Sequence, residues 1–575
     1  MSRPSRPDLW SGFSPAEPVM LAAVLVAAVA VRVHVITQFN VNWDEFQYLS
    51  LVHDYIRGTL DLELQAFHVH FFRWLPLAGT NEVDQVVAAR AVMLGLHLLT
   101  AGLLYGIARR ATSAPAAWFA VAAYLALSFG IRGGASFRTD PIATTLVMAA
   151  LYLLLTRRSV PGALLAGLLL GIAGMFTIKA AVFLPTCAVI LAAPAVARRD
   201  PREAVRGLAM GLGITAGFAL LYRLHADALP APLGRASLEI ATASLSKTVV
   251  TAGFLPQPRV LAATLSWDLV FWAFWLAGAG IVARRIHRAR GSERLRWIEV
   301  ISLALPVASL ALYRNSFPYF YPTILAPASV LVAVAWHSLA SRAARQPGRV
   351  KLAAARIALG WFAASLIVHG IYVPRRMPAA HQRQVIEVVH RTFPRPVPYL
   401  DRSSAIASFP QAGFFMSTWG LEAYADRGHP VLRQAILEEG PPLLIANHPL
   451  LDVEHALFPP ARHEPDLLPA DREAVSAAYI HHWGPIYVAG RRVAAGEGDA
   501  ARRFELLIPG RYTLEANGEV RIDGRPVRPG QSLELASGHH ELDAPAAGGT
   551  VTLRWGEGLY RPPWPPPALE FFLGF

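Results

Sequence analysis

Residues 18–45, PVMLAAVLVAAVAVRVHVITQFNVNWDE, decide the fold class of this chain, because a long apolar run (about 18–36) ends in an acidic pair. A stretch of about 20 apolar residues crosses the hydrocarbon core of a bilayer as a helix. The first polar residues beyond it, Asn42 to Glu45, then lie where water, lipid headgroups and lipid-borne molecules meet. The stretch therefore predicts a membrane-spanning helix followed by carboxylates at the membrane surface.

The composition indicates many such helices. The chain has 575 residues, of which 54% are hydrophobic and only 16% charged, and its mean hydropathy is +0.36. It is too apolar for a water-soluble protein and too long for a single span. The net charge of +13 would suit nucleic acid, but the arginines cluster between apolar segments, as in the cytoplasmic loops of membrane proteins. We therefore predict a polytopic membrane protein with no nucleic-acid partner.

About eleven helices are predicted to span the bilayer. Their approximate bounds are 18–36, 87–108, 116–134, 141–156, 161–178, 180–197, 205–224, 262–283, 297–313, 319–340 and 352–373. With a cytoplasmic N-terminus, the basic pairs Arg109-Arg110 and Arg157-Arg158 face the cytoplasm, as the positive-inside rule requires. The segments then predicted on the outer face are 37–86, 132–140, 225–261, 314–318 and everything after about 374. We expect a multi-pass protein of a bacterial cytoplasmic (inner) membrane.

The composition changes after the last predicted span. Residues 1–373 form the predicted transmembrane domain, and residues 374–575, which contain no spanning segment, form a predicted soluble extracytoplasmic domain. Its first part, about 383–490, has mixed α/β character. Its second part, about 500–556, has short alternating runs separated by turn signals such as Pro509-Gly510 and Asp523-Gly524, which predict a small β-sandwich. The aromatic, Pro-rich tail from Tyr560 is expected to pack on this domain or on the membrane.

Asp44 and Glu45 are the candidate catalytic residues. On a helix, adjacent side chains point about 100° apart, so one carboxylate can face a substrate while a structural partner holds the other. A carboxylate in this position can take a proton from an acceptor hydroxyl. The alternative is that the pair caps a helix over 46–58, because acidic residues favour a helix N-terminus. The spacing leaves both interpretations open.

Four cations near the predicted outer face are candidate phosphate ligands. Arg138 stands in SFRTDP (136–141), where Asp140 and the following proline suit the start of a helix. Lys179 has no acidic neighbour in sequence, Arg314 stands among aromatic residues, and Arg90 lies early in the second predicted span. Arginine and lysine at such sites can bind an anionic headgroup. For each of them alone, extension of the side chain to the membrane interface is the alternative.

Five further residues are candidate substrate ligands. His68 and His70, in FHVHFFRW (67–74), would share one side of a strand and suit a metal, but no Cys or further close His completes a set. An interfacial amphipathic segment is the preferred interpretation. Tyr319 and Tyr321, in YRNSFPYFYP (313–322), suit a membrane interface or the face of a sugar, and Asp140 completes the group.

These motifs together resemble the GT-C glycosyltransferases, most closely the branch that contains protein O-mannosyltransferases and the aminoarabinose transferases of lipid A. The likeness rests on the acidic pair after the first helix, the run Ala88-Ala89-Arg90, the R-x-D-P motif, the helix ending in Thr177-Ile178-Lys179, and the late arginine–aromatic–proline stretch. It covers most of residues 18–373. The chain departs from the family's better-known members in the Ala-Ala that follows Lys179, where they usually have Gly, and in its C-terminal domain.

The resemblance implies a donor sugar on a polyprenyl monophosphate. It makes Asp44 the base, with Glu45 as its neighbour, and it makes Arg138, Lys179 and Arg314 candidate ligands of the donor phosphate. The departures at Lys179 and in the C-terminal domain leave the donor sugar and the acceptor open.

We therefore expect an inverting glycosyltransferase that acts on the hydroxyl of a lipid, glycan or protein acceptor and contacts membrane lipids. Because two or three cations can neutralise a monophosphate, no metal and no other cofactor is predicted. Two alternatives remain open. A lipid or glycolipid transporter or flippase also needs charges within a helical bundle, and a membrane-anchored carbohydrate-binding assembly protein would use the outer domain.

Overall fold

The computed structural model describes residues 16–198, 201–230, 253–345, 349–458, 466–494, 502–543 and 549–573. Of the predicted outer loop 225–261, residues 231–252 lie outside the described residues. Helices α1 to α10 are Ala16–Gln38, Trp43–Arg57, Val69–Phe72, Glu82–Ala111, Ala114–Leu125, Ser128–Gly133, Thr139–Thr156, Val160–Phe176, Leu184–Arg198 and Pro201–Ala226. Helices α11 to α17 are Pro258–Trp267, Leu269–Arg288, Gly291–Ser302, Tyr321–Ala328, Val330–Arg345, Arg349–Ile367 and Val373–Arg376.

Seven of the described helices are long and apolar enough to cross a membrane, and there are eight if the pair Pro318–Ala328 and Val330–Ala343, bent by 50°, is one span. This confirms the multi-pass helical fold. The count is lower than the predicted eleven because α5 and α8 are shorter apolar helices. In addition, the predicted span 297–313 is divided into α13 and a 3₁₀-helix, Leu305–Ala311. Pro306 lies in the first turn of that 3₁₀-helix and lacks the backbone N–H that a continuing α-helix would need.

Glycines bring α8 and α10 into close contact. A Cβ atom at Gly213 would lie 2.3 Å from the carbonyl oxygen of Leu164, and one at Gly167 would lie 2.1 Å from that of Met210. Larger side chains do not fit at these positions. Small residues at helix contacts are typical of membrane bundles, where close backbone packing replaces the hydrophobic effect as the driving force.

The two ends of the bundle differ in charge. At one end, Arg158 forms an ion pair with Glu299, and Arg296 donates to the carbonyl of Arg110. Arg110 lies at the C-terminal end of α4, Arg158 follows α7, and Arg296 lies in α13, so basic segments far apart in sequence meet on one side, as expected for one face of a membrane protein.

Within the described residues, the C-terminal region adds four α-helices and eleven strands. Helices α18 to α21 are Ala380–Thr392, Thr418–Arg427, Val431–Glu439 and Pro469–Ala478. Strands β1 to β11 are Tyr399–Leu400, Leu443–Ile445, Tyr479–Trp483, Ile486–Ala494, Arg502–Leu506, Gly510–Glu515, Val520–Ile522, Arg525–Val527, Ser532–Leu535, Gly538–Asp543 and Thr550–Trp555.

These strands form two sheets. A seven-stranded sheet has the order β1-β2-β4-β11-β6-β9, with β3 also paired to β4, and a four-stranded sheet has the order β5-β10-β7-β8. Phe504 of the smaller sheet and Leu514 and Leu553 of the larger sheet belong to one buried cluster. Strand β4 pairs with β2 through Val488 and with β11 through Ala494, so one continuous sheet joins the two parts into which the sequence divided this region.

The C-terminal region also packs on the membrane part next to α2. The side chain of Gln382 accepts a hydrogen bond from the backbone N–H of Val41 at 2.7 Å and donates one to the carbonyl of Phe571 at 2.8 Å. The Phe571 ring lies 5.8 Å from that of Phe46. The tail therefore packs against the helix that begins with the acidic pair.

Candidate active site

Helix α2 begins with a capping box. The Asn42 side chain accepts from the backbone N–H of Asp44 at 3.0 Å, and Glu45 accepts from the backbone N–H of Asn42 at 3.0 Å. Glu45 thus caps the N-terminus of α2, which is the role that the capping interpretation of the acidic pair assigned to it. The Asp44 carboxylate takes no part in the cap.

Glu45 is held by a buried arginine. Its two carboxylate oxygens lie 2.8 Å from Nε and 2.5 Å from Nη2 of Arg90, and it also accepts from the backbone N–H of Phe137 at 2.7 Å. Burial alone would raise the pKa of Glu45, but the guanidinium and these hydrogen bonds outweigh it and lower the pKa. Glu45 is therefore a buried carboxylate that joins three segments of the chain.

Arg90 uses all five N–H groups within the protein. Besides Glu45, its partners are the carbonyl oxygens of Ile36, Phe39 and Asn40, at 3.4, 2.8 and 2.9 Å. In this conformation no N–H of Arg90 is left for a phosphate. This geometry favours a structural role, fixing the end of α1 against α2 and α4, over the predicted role as a donor ligand.

Asp44 begins a chain of alternating charges. It forms an ion pair with Arg138, whose Nε lies 3.3 Å from Oδ2 of Asp140, and Oδ1 of Asp140 lies 2.6 Å from Nζ of Lys179. The ring of Tyr319 covers both cations, 3.6 Å from the Arg138 guanidinium carbon and 4.4 Å from the Lys179 nitrogen. Asp44 is the most exposed of the four charged side chains, at 19%. Five residues predicted from four separate motifs therefore lie together.

Three members of this cluster stand at irregular points of the backbone, and the two aspartates lie in the first turns of α2 and α7. Arg138 is the N-cap residue of α7, Lys179 lies in a 3₁₀-helix, Ile178–Phe183, between α8 and α9, and Tyr319 lies in a 3₁₀-turn, Pro318–Phe320. Thr177 ends α8 and accepts from the backbone N–H of Lys179 at 3.4 Å. The charged side chains of the cluster thus come from helix ends on one side of the bundle, and the packed helices hold those ends in position.

A cavity opens beside this cluster. Its lining residues are Phe39, Asn42, Glu45, Arg90, Phe129, Arg132, Gly133, Ser136, Arg138, Pro318 and Tyr319. The guanidinium of Arg132 lies 5.4 Å from the rings of both Phe129 and Trp267. The cavity thus combines aromatic walls with cations, a combination that suits an apolar molecule carrying an anionic group.

Sequence reasoning missed Arg132 and Arg402. Arg132 falls near the end of a predicted span, 116–134. A charged side chain within a membrane span costs free energy and usually marks a functional site, so its position in the sequence could have identified Arg132 as a candidate. Arg402 comes from the C-terminal region, and its guanidinium lies 4.1 Å from the ring of Trp43. Nearby, Ser404 donates to Gln47 at 3.1 Å across 357 residues of sequence. No local sequence pattern predicts a contact between residues so far apart in the chain.

The two predicted histidines have partners outside the charged cluster. His68 is buried, with Nε2 3.0 Å from the carbonyl oxygen of Tyr48, and its ring packs against Phe137. His70 Nε2 lies 2.8 Å from Nδ1 of His225. Among the residues that the structure describes, no group of three or more His, Cys, Asp or Glu side chains is arranged to hold a metal ion.

The remaining predicted residues also lie apart from Asp44. Arg314 pairs with Glu422 of α19 at 2.6 Å and stacks at 4.1 Å over Trp419, so it joins the membrane part to the C-terminal region. These contacts favour a structural role over the predicted phosphate role. Tyr321 is buried, and its ring packs 5.4 Å from that of Phe129. It stands behind the cavity wall.

The fold is similar to that of a solved membrane protein. ArnT from Cupriavidus metallidurans bound to undecaprenyl phosphate aligns with a TM-score of 0.52 and 16% identity over 75% of this chain and 93% of that chain. ArnT from the same organism in the apo state aligns with a TM-score of 0.51 and 14% identity over 77% and 95%. No protein-family model and no curated protein sequence matches this chain. The predicted GT-C resemblance is thereby confirmed at the level of the fold.

Proposed function

We propose that this protein is an inverting glycosyltransferase that uses a sugar on a polyprenyl monophosphate. One observation carries the proposal, namely the ion-paired chain Asp44–Arg138–Asp140–Lys179 beside an aromatic cavity at one end of a helical bundle. The structural neighbour ArnT is bound to undecaprenyl phosphate. A lipid phosphate therefore fits both the chemistry of the site and the fold.

In this proposal Arg138 and Lys179 bind the donor phosphate, with Arg132 as a third cation on the cavity wall. Arg138 forms an ion pair with Asp44. A phosphate dianion is a stronger partner for a guanidinium than a carboxylate is, so donor binding draws Arg138 away from Asp44. The same event thus neutralises the leaving group and frees the Asp44 carboxylate to act as a base.

The chemical step then uses one carboxylate. Asp44 takes the proton of the acceptor hydroxyl as its oxygen attacks the anomeric carbon from the side opposite the phosphate. The bond between the anomeric carbon and the phosphate oxygen breaks, and the polyprenyl phosphate leaves with its charge held by Arg138 and Lys179. Attack opposite the leaving group inverts the configuration at the sugar.

The proposal gives the neighbouring residues positioning roles. Glu45 and Arg90 fix the start of α2 and so aim Asp44. Phe39 and Phe129 provide apolar wall for the first isoprene units of the donor. We also propose that this end of the bundle faces the outside of a bacterial cytoplasmic membrane, together with the C-terminal region, whose Arg402 stacks on Trp43.

The test is incubation of purified protein with a panel of sugars on polyprenyl monophosphate and with membrane lipids and glycoproteins, followed by mass spectrometry. The expected result is one donor whose sugar appears on an acceptor, with release of polyprenyl phosphate and inverted anomeric configuration by NMR. Movement of an intact lipid-linked sugar across proteoliposome membranes, without any transfer, would instead support a flippase and contradict the proposal.

A further inference from the structure

A second cavity lies at the end of the bundle opposite Asp44. It is lined by Ile281, Arg284, Arg285, Arg288, Ala289, Glu293, Ser338 and Arg342. Helix α12 begins at Leu269 beside Asp268, which accepts from the backbone N–H of Ser128 at 2.8 Å near the first cavity. Its 20 residues extend roughly 30 Å to Arg288. The two cavities are thus separated by about the thickness of a hydrocarbon core.

Two helices build the walls of the second cavity. Arg284 and Arg288 stand one turn apart on α12, and Ser338 and Arg342 stand one turn apart on α15. The helices approach closely, since a Cβ atom at Gly278 of α12 would lie 2.0 Å from the carbonyl oxygen of Leu331. Because α12 and α15 pack closely at this point, the arginines at their C-terminal ends line the same cavity.

The charge in this space is uneven. Among the described residues that line the cavity, the three arginines of α12 outnumber the one acid, Glu293, which leaves an excess of positive charge on this wall. Glu293 accepts from the indole N–H of Trp297 at 3.5 Å, and Arg285 stacks 4.3 Å from the ring of that tryptophan. Like charges one turn apart repel each other. A cavity of this kind is stabilised by an anion.

We propose that this cavity binds the phosphate groups of an anionic membrane phospholipid. Two of its arginines, Arg285 and Arg288, lie in the last turn of α12, a helix long and apolar enough to span the membrane, which is the level of lipid headgroups. Guanidinium groups bind phosphate oxygens in pairs. A headgroup with two phosphates matches the excess charge better than a headgroup with one, so cardiolipin is the expected ligand class.

The test is native mass spectrometry of the full-length protein in detergent with cardiolipin, phosphatidylglycerol or phosphatidylcholine. The cavity variant is Arg284→Gln/Arg288→Gln. The matched control is Arg290→Gln/Arg294→Gln, which removes the same charge from two exposed arginines that do not line the cavity. Soluble pyrophosphate is added in a separate series to distinguish a lipid headgroup from a free phosphate.

We expect wild type and control to retain cardiolipin more tightly than phosphatidylglycerol, and phosphatidylcholine not at all. The cavity variant should bind cardiolipin roughly 30-fold more weakly, the change that corresponds to about 1 kcal/mol for each of two arginines. Equal losses in the cavity and control variants would overturn the proposal in favour of unspecific surface charge. Displacement of the lipid by pyrophosphate at equal concentration would overturn the lipid assignment.

Discussion

Asp44 and Glu45 are neighbours in sequence, yet Glu45 is held by Arg90 with its side chain 2% exposed, whereas Asp44 pairs with Arg138 and is 19% exposed. The angle between adjacent helical side chains separates them. Glu45 enters the protein interior and joins the backbone of α2 to α4. Asp44 remains at the mouth of the cluster, where a substrate can reach it. The two carboxylates should therefore respond differently to substitution.

Glu45→Gln should destabilise the fold. It breaks a buried ion pair and leaves the Arg90 charge without its partner, which costs about 3–5 kcal/mol. Chemical unfolding in detergent measures this loss. As a control, Glu422→Gln breaks the half-exposed pair with Arg314 and should cost under about 1 kcal/mol. Unfolding of Glu45→Gln at the wild-type denaturant concentration would contradict the structural role.

The effect of Glu45→Gln should also depend on pH. Because the folded protein lowers the pKa of Glu45, the ionised form stabilises the fold above its ordinary pKa of 4.5. That contribution is lost as the pH falls through the lower folded-state value. The difference in stability between wild type and Glu45→Gln should therefore be full near neutral pH and shrink in acid.

Removal of either donor cation should weaken donor binding. Arg138→Gln and Lys179→Gln each delete one charge-assisted contact, worth about 1.5–3 kcal/mol, or about ten- to a hundredfold in affinity. Binding of a polyprenyl-phosphate sugar measures the loss. Arg314→Gln is the control, because Arg314 pairs with Glu422 instead, and should bind donor normally. Normal binding by both site variants would refute the phosphate assignment.

The sequence predicts the positions of the membrane-spanning helices well, but it predicts the contacts between them poorly. Apolar runs predict α1, α4 and α7 because burial in lipid requires continuous hydrophobicity. The pairing of Asp44 with Arg138 spans 94 residues, and that of Arg314 with Glu422 spans 108. Contacts between residues so far apart in sequence depend on which helix ends meet in the folded bundle. Hydrophobic periodicity does not show which helix ends meet.

The close contact of α8 with α10 should make Gly213 intolerant of larger side chains. Gly213→Val places a branched side chain against the backbone of α8 and should cost about 1–3 kcal/mol or more. Gly211→Val, on the same helix, meets no atom within 4 Å and carries the same helix-propensity cost. Thermal stability in detergent compares the two. Equal stability of both variants would show that this helix contact is not close.

At the scale of the whole molecule, the separation of charge between the two ends sets the orientation. Basic segments gather at one end, and the Asp44 cluster lies at the other, next to the C-terminal region. In the proposed orientation the basic end is cytoplasmic. Reporter fusions after residues 110 and 573 should be active on opposite sides of the membrane. Activity of both reporters on one side would contradict the orientation.

Asp44→Asn removes the proposed catalytic base. The amide keeps the size of the side chain but cannot take a proton at neutral pH, so single-turnover sugar transfer should fall by roughly 10²–10⁴-fold, the usual scale of general-base catalysis. Donor binding should persist, because Arg138 and Lys179 hold the phosphate. The measurement is single-turnover transfer beside donor binding for wild type and Asp44→Asn. Transfer near the wild-type rate by Asp44→Asn, with donor bound, would contradict the proposed mechanism.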